Sequence, residues 1–234
     1  MNSSNLETTL KQLRLSGLCQ TLSVRLQEAA ANRLAHVEFL ELIIQDEVNV
    51  RQQRQMERRT KNADFRSLKT MEDFDWSFNP SIHKKEIYDL AACKFIREAK
   101  DVLFLGPPGV GKTHLAQAIG YEAIRQNFLV FYRSIFDLVR DFMKDEAFNQ
   151  QDKTLRRYLK PDLVIIDDMG LKALPKHSGE YLLEVIMRRY EPPARFKSLP
   201  AIMKTLDFRR ESDMLAACFL LKRLNTTPGL RLRA

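Results

Sequence analysis

The stretch DVLFLGPPGVGKTHLAQAIG, residues 101–120, places an apolar run, a glycine-rich turn and an amphipathic run in direct succession. Val102 to Leu105 is predicted to form a buried strand, and Thr113 to Gln126 is predicted to form a helix. Between them, Gly106 to Thr113 matches the phosphate-loop pattern G-x-x-x-x-G-K-[ST], in the strand-to-helix context that the pattern requires. The stretch therefore predicts a nucleotide site on an α/β fold.

Each residue type in this loop has a chemical role in holding phosphate. Glycines allow successive backbone N–H groups to curl around the phosphates, and the following helix directs its positive dipole end toward them. Lys112 is expected to reach the β- and γ-phosphates as a catalytic group, and the Thr113 hydroxyl is expected to bind Mg²⁺. A glycine-rich turn with a chance Lys-Thr pair is the alternative, which the flanking elements disfavour. The predicted nucleotide-binding residues are Gly106, Pro107, Pro108, Gly109, Val110, Gly111, Lys112, Thr113 and His114.

A second motif, LVIIDD at residues 163–168, places two acids at the end of an apolar strand. Asp167 is predicted to hold Mg²⁺ at the carboxyl end of the sheet, and Asp168 is predicted to orient or deprotonate the attacking water. A solvated acidic strand end would explain the pair alone, but not together with the upstream loop. One predicted strand, Phe128 to Tyr132, separates the two motifs. This order, with a second acid, favours the ATPase branch of phosphate-loop proteins, with ATP and Mg²⁺ as cofactors.

Around these motifs, predicted strands and helices alternate, which is typical of a parallel sheet wrapped by helices. Ser134 to Met143 is predicted to be a helix, with Ser134 and Asp137 as a capping pair. Further helices are expected at Lys153–Leu159 and Gly179–Tyr190.

The N-terminal part has a different pattern. Residues 5–62 are predicted to be helical, with a break at Ser16-Gly17 and a long amphipathic run from Val37 to Lys61. Residues 70–82 contain Asn79-Pro80 and three aromatic residues, and are predicted to form an extended linker, followed by one helix to about Lys100. The predicted domains are a helical N-terminal domain (1–69), a linker and docking helix (70–98), an ATP-binding core (99–191) and a basic tail (192–234).

Composition limits the class of protein. A chain of 234 residues with 44% hydrophobic and 29% charged residues can bury one sizeable core plus a small accessory domain. Its three cysteines form no CxxC pair, so neither a metal cluster nor a disulfide framework is expected. No apolar run approaches membrane-spanning length, and we expect a soluble, cytoplasmic protein with no membrane partner. The net charge is +8, and residues 192–234 carry nine lysines and arginines against three acids.

Several segments resemble, in order and spacing, the IstB family of ATP-binding helper proteins encoded by insertion sequences, an AAA+ relative of DnaC-type helicase loaders. The segments in the ATP-binding part are GPPGVGKTHLAQAIGYEAI, FYRSIFDLVRDF, YLKPDLVIIDDMG and SGEYLLEVIMRRYE, and those in the N-terminal part are LRLSGL, EFLELIIQDE, RRTKNADF and DFDWSFNPSI. The resemblance covers residues 5 to about 191.

The resemblance implies a small all-helical N-terminal domain followed by a phosphate-loop AAA+ parallel sheet flanked by helices. It implies a protein that oligomerises on DNA with ATP, prepares target DNA and stimulates the transposase of the same element. It also assigns Gly106 to Thr113 to the nucleotide loop, and Asp167 and Asp168 to the metal-binding and water-activating roles.

After Glu191 the resemblance stops. The family continues into an apolar strand ending in a Thr-Ser-Asn-type motif that senses the γ-phosphate, and then into an arginine-bearing segment. Ala201 to Thr205 is only faintly similar to that strand, and Arg223 only faintly similar to the arginine. The tail is therefore either a divergent DNA-binding extension or translation in a shifted frame near codon 191, which we favour because pattern is lost across consecutive elements. We expect the strand beside the acidic strand to be missing, and ATP to be bound with weak or absent hydrolysis.

DNA contacts are predicted at the basic end of the long N-terminal helix. Glu57 is the one acid interspersed in this cluster, so the residues could grip phosphates without reading bases. A solvated polar helix face is the alternative. Phe74, Trp76 and Phe78 could stack on bases, but we favour packing on the ATPase core. The candidate DNA-binding residues are Arg51, Arg54, Arg58, Arg59 and Lys61.

Three functions are compatible with the sequence. The first is a transposition helper ATPase that binds DNA and a transposase. The second is a DnaC-type loader that binds a replicative helicase ring through its N-terminal helices. The third is a catalytically silent remnant that keeps ATP or DNA binding.

Overall fold

A computed structural model describes residues 3–147, 151–170, 178–190, 201–207 and 230–231. The chain divides into two compact units, Met1–Arg58 and Arg59–Ala234. The helices of the described residues are α1 (Ser3–Gln12), α2 (Ser16–Asn32), α3 (His36–Ala63), α4 (Lys84–Ala91), α5 (Lys94–Arg97), α6 (Lys112–Arg125), α7 (Ile135–Ala147), α8 (Gln151–Leu159) and α9 (Ser178–Tyr190). The strands are β1 (Val102–Gly106), β2 (Val130–Ser134), β3 (Leu163–Met169), β4 (Ala201–Asp207) and β5 (Leu230–Arg231).

The N-terminal unit is built from α1, α2 and most of α3, as the helical periodicity predicts. Its small core joins one residue from each helix, Leu10, Leu22 and Ile43. Helix α2 approaches α3 closely at Gly17, where an added Cβ would lie 2.9 Å from the Val50 Cβ. The Ser16-Gly17 break predicted from the sequence is therefore a helix start that requires a residue without a side chain.

A buried carboxylate in this unit caps α2 from a neighbouring helix. Glu47 of α3 is 6% exposed, and its Oε2 accepts hydrogen bonds from the backbone N–H groups of Gly17 at 2.7 Å and Leu18 at 3.0 Å. Its Oε1 accepts from Arg51 Nε at 2.6 Å. Burial raises the pKa of Glu47, but the hydrogen bonds from Leu18, Arg51 and Gly17 outweigh burial and leave the pKa below its usual value. The carboxylate therefore satisfies amides that α2 cannot satisfy itself.

We expect Glu47→Gln to destabilise the N-terminal unit by about 2 kcal/mol, because a charged acceptor of several hydrogen bonds is lost. Since the folded-state pKa is lowered, this stabilisation is present above the unfolded value, near 4.3, and is lost as pH falls through the folded-state pKa. Hydrogen exchange of the α2 amides at pH 7 and at pH 3 to 4 measures both effects. Glu57→Gln, on the exposed part of α3, is the matched control, and equal protection in the two variants at pH 7 would contradict the capping role.

The second unit contains a parallel five-stranded sheet in the order β2-β3-β4-β1-β5. All five residues of β1 are buried, and so are the first five of β3, because helices cover both faces of the sheet. The strand order places the carboxyl ends of β1 and β3, which carry the two motifs, on the same edge with β4 between them. The predicted parallel sheet flanked by helices is confirmed.

The expectation that a strand is missing beside the acidic strand is wrong. Ala201–Asp207 forms β4 between β3 and β1, pairing Ile165 with Met203 and Val102 with Met203. Its first three residues are fully or almost fully buried. The expectation rests on the loss of the family's Thr-Ser-Asn-type motif, which strand pairing does not require. The strand also contains Lys204, a residue type that is rarely buried, although Lys204 is only 1% exposed here.

The lysine is accommodated by an internal ion pair. The side chains of Lys204 and Asp101 are 1% and 4% exposed, and Lys204 Nζ lies 3.4 Å from Asp101 Oδ2. Asp101 Oδ1 also accepts a hydrogen bond from the Ile202 backbone N–H at 3.0 Å. Burial lowers the pKa of Lys204, and the Asp101 carboxylate opposes that effect. Asp101, just before β1, therefore holds the first part of β4 in the sheet.

A second buried cation joins α9 to the starts of β3 and β4. Arg189 is 1% exposed, and its guanidinium donates to the carbonyl oxygens of Tyr158 at 2.6 Å, Pro161 at 3.1 Å and Ala201 at 2.8 Å. Burial lowers the pKa of Arg189 to about 10. Because these carbonyls come from separate segments, one side chain aligns the elements that frame the acidic strand.

Several element boundaries differ from the sequence prediction. The single helix expected up to about Lys100 is two helices, α4 and α5, because Cys93 between them has a left-handed φ of 58°. Strand β2 begins at Val130 rather than at Phe128. The Ser134 and Asp137 capping pair is confirmed, since the Asp137 N–H donates to Ser134 Oγ at 3.1 Å. Among the described residues, no helix is long and apolar enough to cross a bilayer.

Candidate nucleotide site

The phosphate loop connects β1 to α6, with two glycines in the left-handed region. Gly109 has φ 87° and Gly111 has φ 94°. At Gly111 an added Cβ would also lie 2.8 Å from Phe74 Cε2, so both the conformation and the space require glycine. At Gly109 an added Cβ would meet no atom within 4 Å, so glycine is required there only by the left-handed backbone conformation. The loop therefore has the curled backbone that phosphate binding needs.

Lys112 begins α6 and lies against the loop itself. It is 4% exposed, and its Nζ donates to the carbonyl oxygens of Gly106 at 2.9 Å and Pro107 at 2.7 Å. A buried ammonium held by carbonyls of its own loop can exchange those acceptors for phosphate oxygens with little loss of hydrogen bonding. Lys112 therefore lies at the loop, and its contact with the phosphates stays a prediction.

Asp167 is the centre of the site. It has no exposed surface, and its Oδ1 accepts hydrogen bonds from Thr113 Oγ1 at 3.0 Å and from Thr205 Oγ1. Its Oδ2 accepts from the Tyr132 hydroxyl at 2.6 Å. Burial, followed by the charge of Asp167, raises the pKa of Tyr132, so Tyr132 remains a donor. Three elements, β2, α6 and β4, thus converge on one carboxylate at the end of β3.

Asp168 lies in an irregular part of β3. The pairing of β3 with β4 shifts between Ile166 and Met169, and Asp168 has a left-handed φ of 62°. Such bulges redirect side chains and are frequent beside active sites. The Asp168 N–H donates to Asp167 Oδ1 at 2.9 Å, and its Oδ2 lies 2.6 Å from Arg66 Nη2. The two carboxylates therefore have different partners, although the two residues are adjacent in sequence.

The linker packs against the phosphate loop. The Phe74 ring is 7% exposed and lies 5.1 Å from the His114 ring and 4.9 Å from the Trp76 ring, measured between centroids. His114 Nε2 lies 3.0 Å from the Thr70 carbonyl oxygen, so the His114 side chain joins the loop to the linker. The preference for packing over base stacking agrees with Phe74 and Trp76, whereas Phe78 is 64% exposed.

The donor set fits a magnesium nucleotide. Magnesium bound with a nucleotide takes one or two protein ligands, phosphate oxygens and waters. Thr113 and Asp167 place a hydroxyl and a carboxylate 3.0 Å apart beside the loop. The described part of the chain contains no group of three or more His, Cys, Asp or Glu side chains suited to a metal. Among the described residues, the Thr113–Asp167 pair is thus suited to a metal that arrives with phosphate.

The sequence profile of the IstB-like ATP-binding protein family matches residues 8–197. The chain belongs to this family. It is 34% identical over 180 residues to the ATP-binding protein of insertion sequence IS5376 from Geobacillus stearothermophilus, covering 77% of this chain and 72% of that protein. It is 32% identical over 215 residues to the ATP-binding protein of insertion sequence IS232 from Bacillus thuringiensis subsp. berliner, covering 92% of this chain and 86% of that protein.

A solved structure of the DnaC helicase loader shares the fold, with a TM-score of 0.53 and 21% identity, covering 67% of this chain and 97% of that chain. The resemblance to the IstB family and the AAA+ fold are therefore confirmed. The IS232 alignment is long enough to extend past Glu191. Translation in a shifted frame beyond that residue stays a prediction, and Arg223 lies outside the described residues.

The five candidate DNA-binding residues of this IstB-family chain all lie on α3, but they differ in the side of the helix that they occupy and in the residues that they contact. At 100° per residue, Arg51, Arg54, Arg58 and Lys61 lie within about 80° of one another around the helix, and Arg59 lies on a different side. Two of these four side chains are bound to other residues of the N-terminal unit. Arg51 pairs with Glu47, and Arg54 donates to Ser16 Oγ. Arg59 Nη1 donates to Asn127 Oδ1 at 3.3 Å.

Three contributors to the site were not assigned from the sequence. Tyr132 lies in the predicted strand that precedes the acidic strand along the chain. The structure pairs these two strands, and that pairing is the signal that could have identified Tyr132. Thr205 lies within β4, a strand that was not expected from the sequence. Arg66 lies 102 residues before its partner Asp168, and no local pattern indicates that pair.

Proposed function

We propose that this IstB-family protein binds ATP with Mg²⁺ and hydrolyses it as an insertion-sequence helper. The observation that carries the proposal is the convergence on Asp167 of the loop hydroxyl of Thr113 and the strand hydroxyl of Thr205. The catalytically silent alternative assumes that no strand beside the acidic strand supplies a polar side chain, whereas Thr205 of β4 supplies one. The presence of β4 therefore favours an active site over a remnant.

The roles of the residues follow from their positions. Lys112 moves its ammonium from the Gly106 and Pro107 carbonyls to phosphate oxygens. Thr113 and Asp167 hold Mg²⁺, which when bound neutralises charge on the β- and γ-phosphates. Thr205 orients the Asp167 carboxylate, and Asp168 orients the attacking water.

We further propose that the protein acts on DNA as a homo-oligomer and assists the transposase of its element. Family membership supports this proposal, because its relatives are ATP-binding proteins of insertion sequences. The basic face of α3, defined as Arg51, Arg54, Arg58 and Lys61, supports phosphate contact without base reading. All four side chains are exposed.

The DNA proposal is tested with a triple variant, Arg54→Gln, Arg58→Gln and Lys61→Gln, which keeps Arg51 on Glu47. We expect the slope of log affinity against log salt for duplex DNA to decrease by about 0.9 for each phosphate that the variant no longer neutralises. Stimulation of ATP turnover by DNA should decrease with it, while turnover without DNA is retained. Fluorescence anisotropy across a salt series and a phosphate-release assay measure the two effects.

The matched control for charge is Lys85→Gln, Lys153→Gln and Lys160→Gln, three exposed lysines that are not members of the basic face. If both triple variants weaken DNA binding equally, net charge rather than the basic face carries it. If neither variant changes DNA binding, the basic face is not the DNA site.

A helicase loader is the second candidate, favoured by the fold shared with DnaC. The two candidates predict different protein partners. Immobilised full-length protein with ATP should retain the transposase of the same element and not a replicative helicase ring. Retention of the helicase without the transposase would replace the first candidate by the second.

A further inference from the structure

The second acid of the site is paired with an arginine that precedes the ATPase sheet. Arg66 Nη2 lies 2.6 Å from Asp168 Oδ2, and the two side chains are 51% and 13% exposed. The role proposed for Asp168 does not use this ion pair. The family match spans residues 8–197 and so includes both residues, but it assigns no role to their ion pair.

The backbone around Arg66 is anchored to the sheet. The rings of Phe65 and Tyr132 lie 6.0 Å apart between centroids. Asp64 pairs with Arg133 of β2. Because both preceding residues are held by β2, the guanidinium of Arg66 reaches the acidic strand from a defined position.

The ion pair and the catalytic role compete for the same carboxylate. A carboxylate that orients water must accept a hydrogen bond from that water. Asp168 Oδ2 already accepts from Arg66. The left-handed φ of Asp168 is unfavourable for a residue other than glycine, and such a conformation persists where its surroundings hold it. In this arrangement Arg66 holds Oδ2 of Asp168 in an ion pair, so a water bound to that oxygen would have to share it with the guanidinium or replace the guanidinium.

We propose that Arg66 is a positioning residue that restrains Asp168, and that DNA phosphates relieve the restraint by drawing the guanidinium away. The inference rests on the proposed ATPase function. A half-exposed guanidinium is well suited to bind phosphate, with planar donors in a fixed geometry. Arg66 also lies three residues after the end of α3, the helix that carries the basic face.

The test compares full-length wild type with Arg66→Ala, Arg66→Lys and the double variant Arg66→Ala/Asp168→Asn. Steady-state turnover without DNA gives kcat and KM, and a fluorescent ATP analogue gives the affinity. We expect Arg66→Ala to raise kcat about fivefold, the effect of losing one partly exposed ion pair, with KM and affinity unchanged. Arg66→Lys should give an intermediate kcat, and the double variant should return turnover to background. DNA should not stimulate Arg66→Ala further.

Arg125→Ala is the control for loss of a surface ion pair, because Arg125 pairs with Glu122 on α6 at 2.8 Å with similar exposure. Unchanged or lower kcat in Arg66→Ala, with ATP affinity intact, overturns the restraint. Loss of ATP binding in both wild type and variant overturns the proposed ATPase function instead, and the restraint with it. Melting temperatures of the two alanine variants show whether Arg66→Ala affects folding more than the control does.

Discussion

Lys112→Ala is expected to weaken ATP binding about 100-fold, because one ammonium that would contact two phosphates is removed, at about 1.5 kcal/mol for each charged hydrogen bond. The same ammonium donates hydrogen bonds to the carbonyls of Gly106 and Pro107. Some loss of stability is therefore expected as well. Lys112→Met keeps most of the side-chain volume and separates lost packing from lost charge.

Trp76 provides the measurement, because it is the one tryptophan in the chain and its ring lies 4.9 Å from Phe74. Phe74 contacts Gly111 of the loop, so ATP binding should change the Trp76 emission. Lys85→Ala, at an exposed lysine, should titrate with ATP as wild type does. Unaltered ATP affinity in a folded Lys112→Met variant would rule out the loop as the phosphate site.

Asp101→Asn is expected to lower the free energy of unfolding by about 3–5 kcal/mol, because it leaves the Lys204 ammonium buried without its charge partner. The same change should loosen β4, and with it Thr205, which orients Asp167. Urea unfolding followed by circular dichroism measures the stability, and the Trp76 titration measures any accompanying loss of ATP affinity.

The double variant Asp101→Asn/Lys204→Met distinguishes the ion pair from other effects. Replacing both charges removes the uncompensated ammonium, so most of the lost stability should return. Asp89→Asn, at an exposed aspartate of α4, should leave the free energy of unfolding unchanged. If the double variant is as unstable as the single variant, the uncompensated charge of Lys204 is not the cause of the lost stability.

Much of the candidate site was predictable because its signals are local. The loop from Gly106 to Thr113 and the acids of β3 are recognised by residue types at short spacing, next to an apolar strand. The capping pair of Ser134 and Asp137 is local in the same sense. The structure places each of these residues as their pattern predicts, at the carboxyl edge of a parallel sheet.

The prediction that a strand was missing failed for a physical reason. A lysine in a short apolar run indicates solvent, unless a carboxylate lies beside it in the folded protein. Asp101 is that carboxylate, and it lies 103 residues before Lys204. The identity of β4 therefore depended on a pairing that no local pattern contains. The expectation of weak hydrolysis rests on that strand and on the arginine segment, whose candidate Arg223 lies outside the described residues, so it stays a prediction.

The sequence alone thus predicted a phosphate loop, an acidic strand and the alternating elements of an AAA+ sheet. These features are predictable because backbone conformation and strand burial depend on neighbouring residues. Folding in three dimensions settled which distant side chains meet the two acids. Thr205 and Tyr132 reach Asp167 because parallel pairing places β4 and β2 on either side of β3. Arg66 reaches Asp168 because Phe65 anchors it to the sheet. Contacts of this kind arise from strand order and packing, which bring together residues from distant parts of the chain.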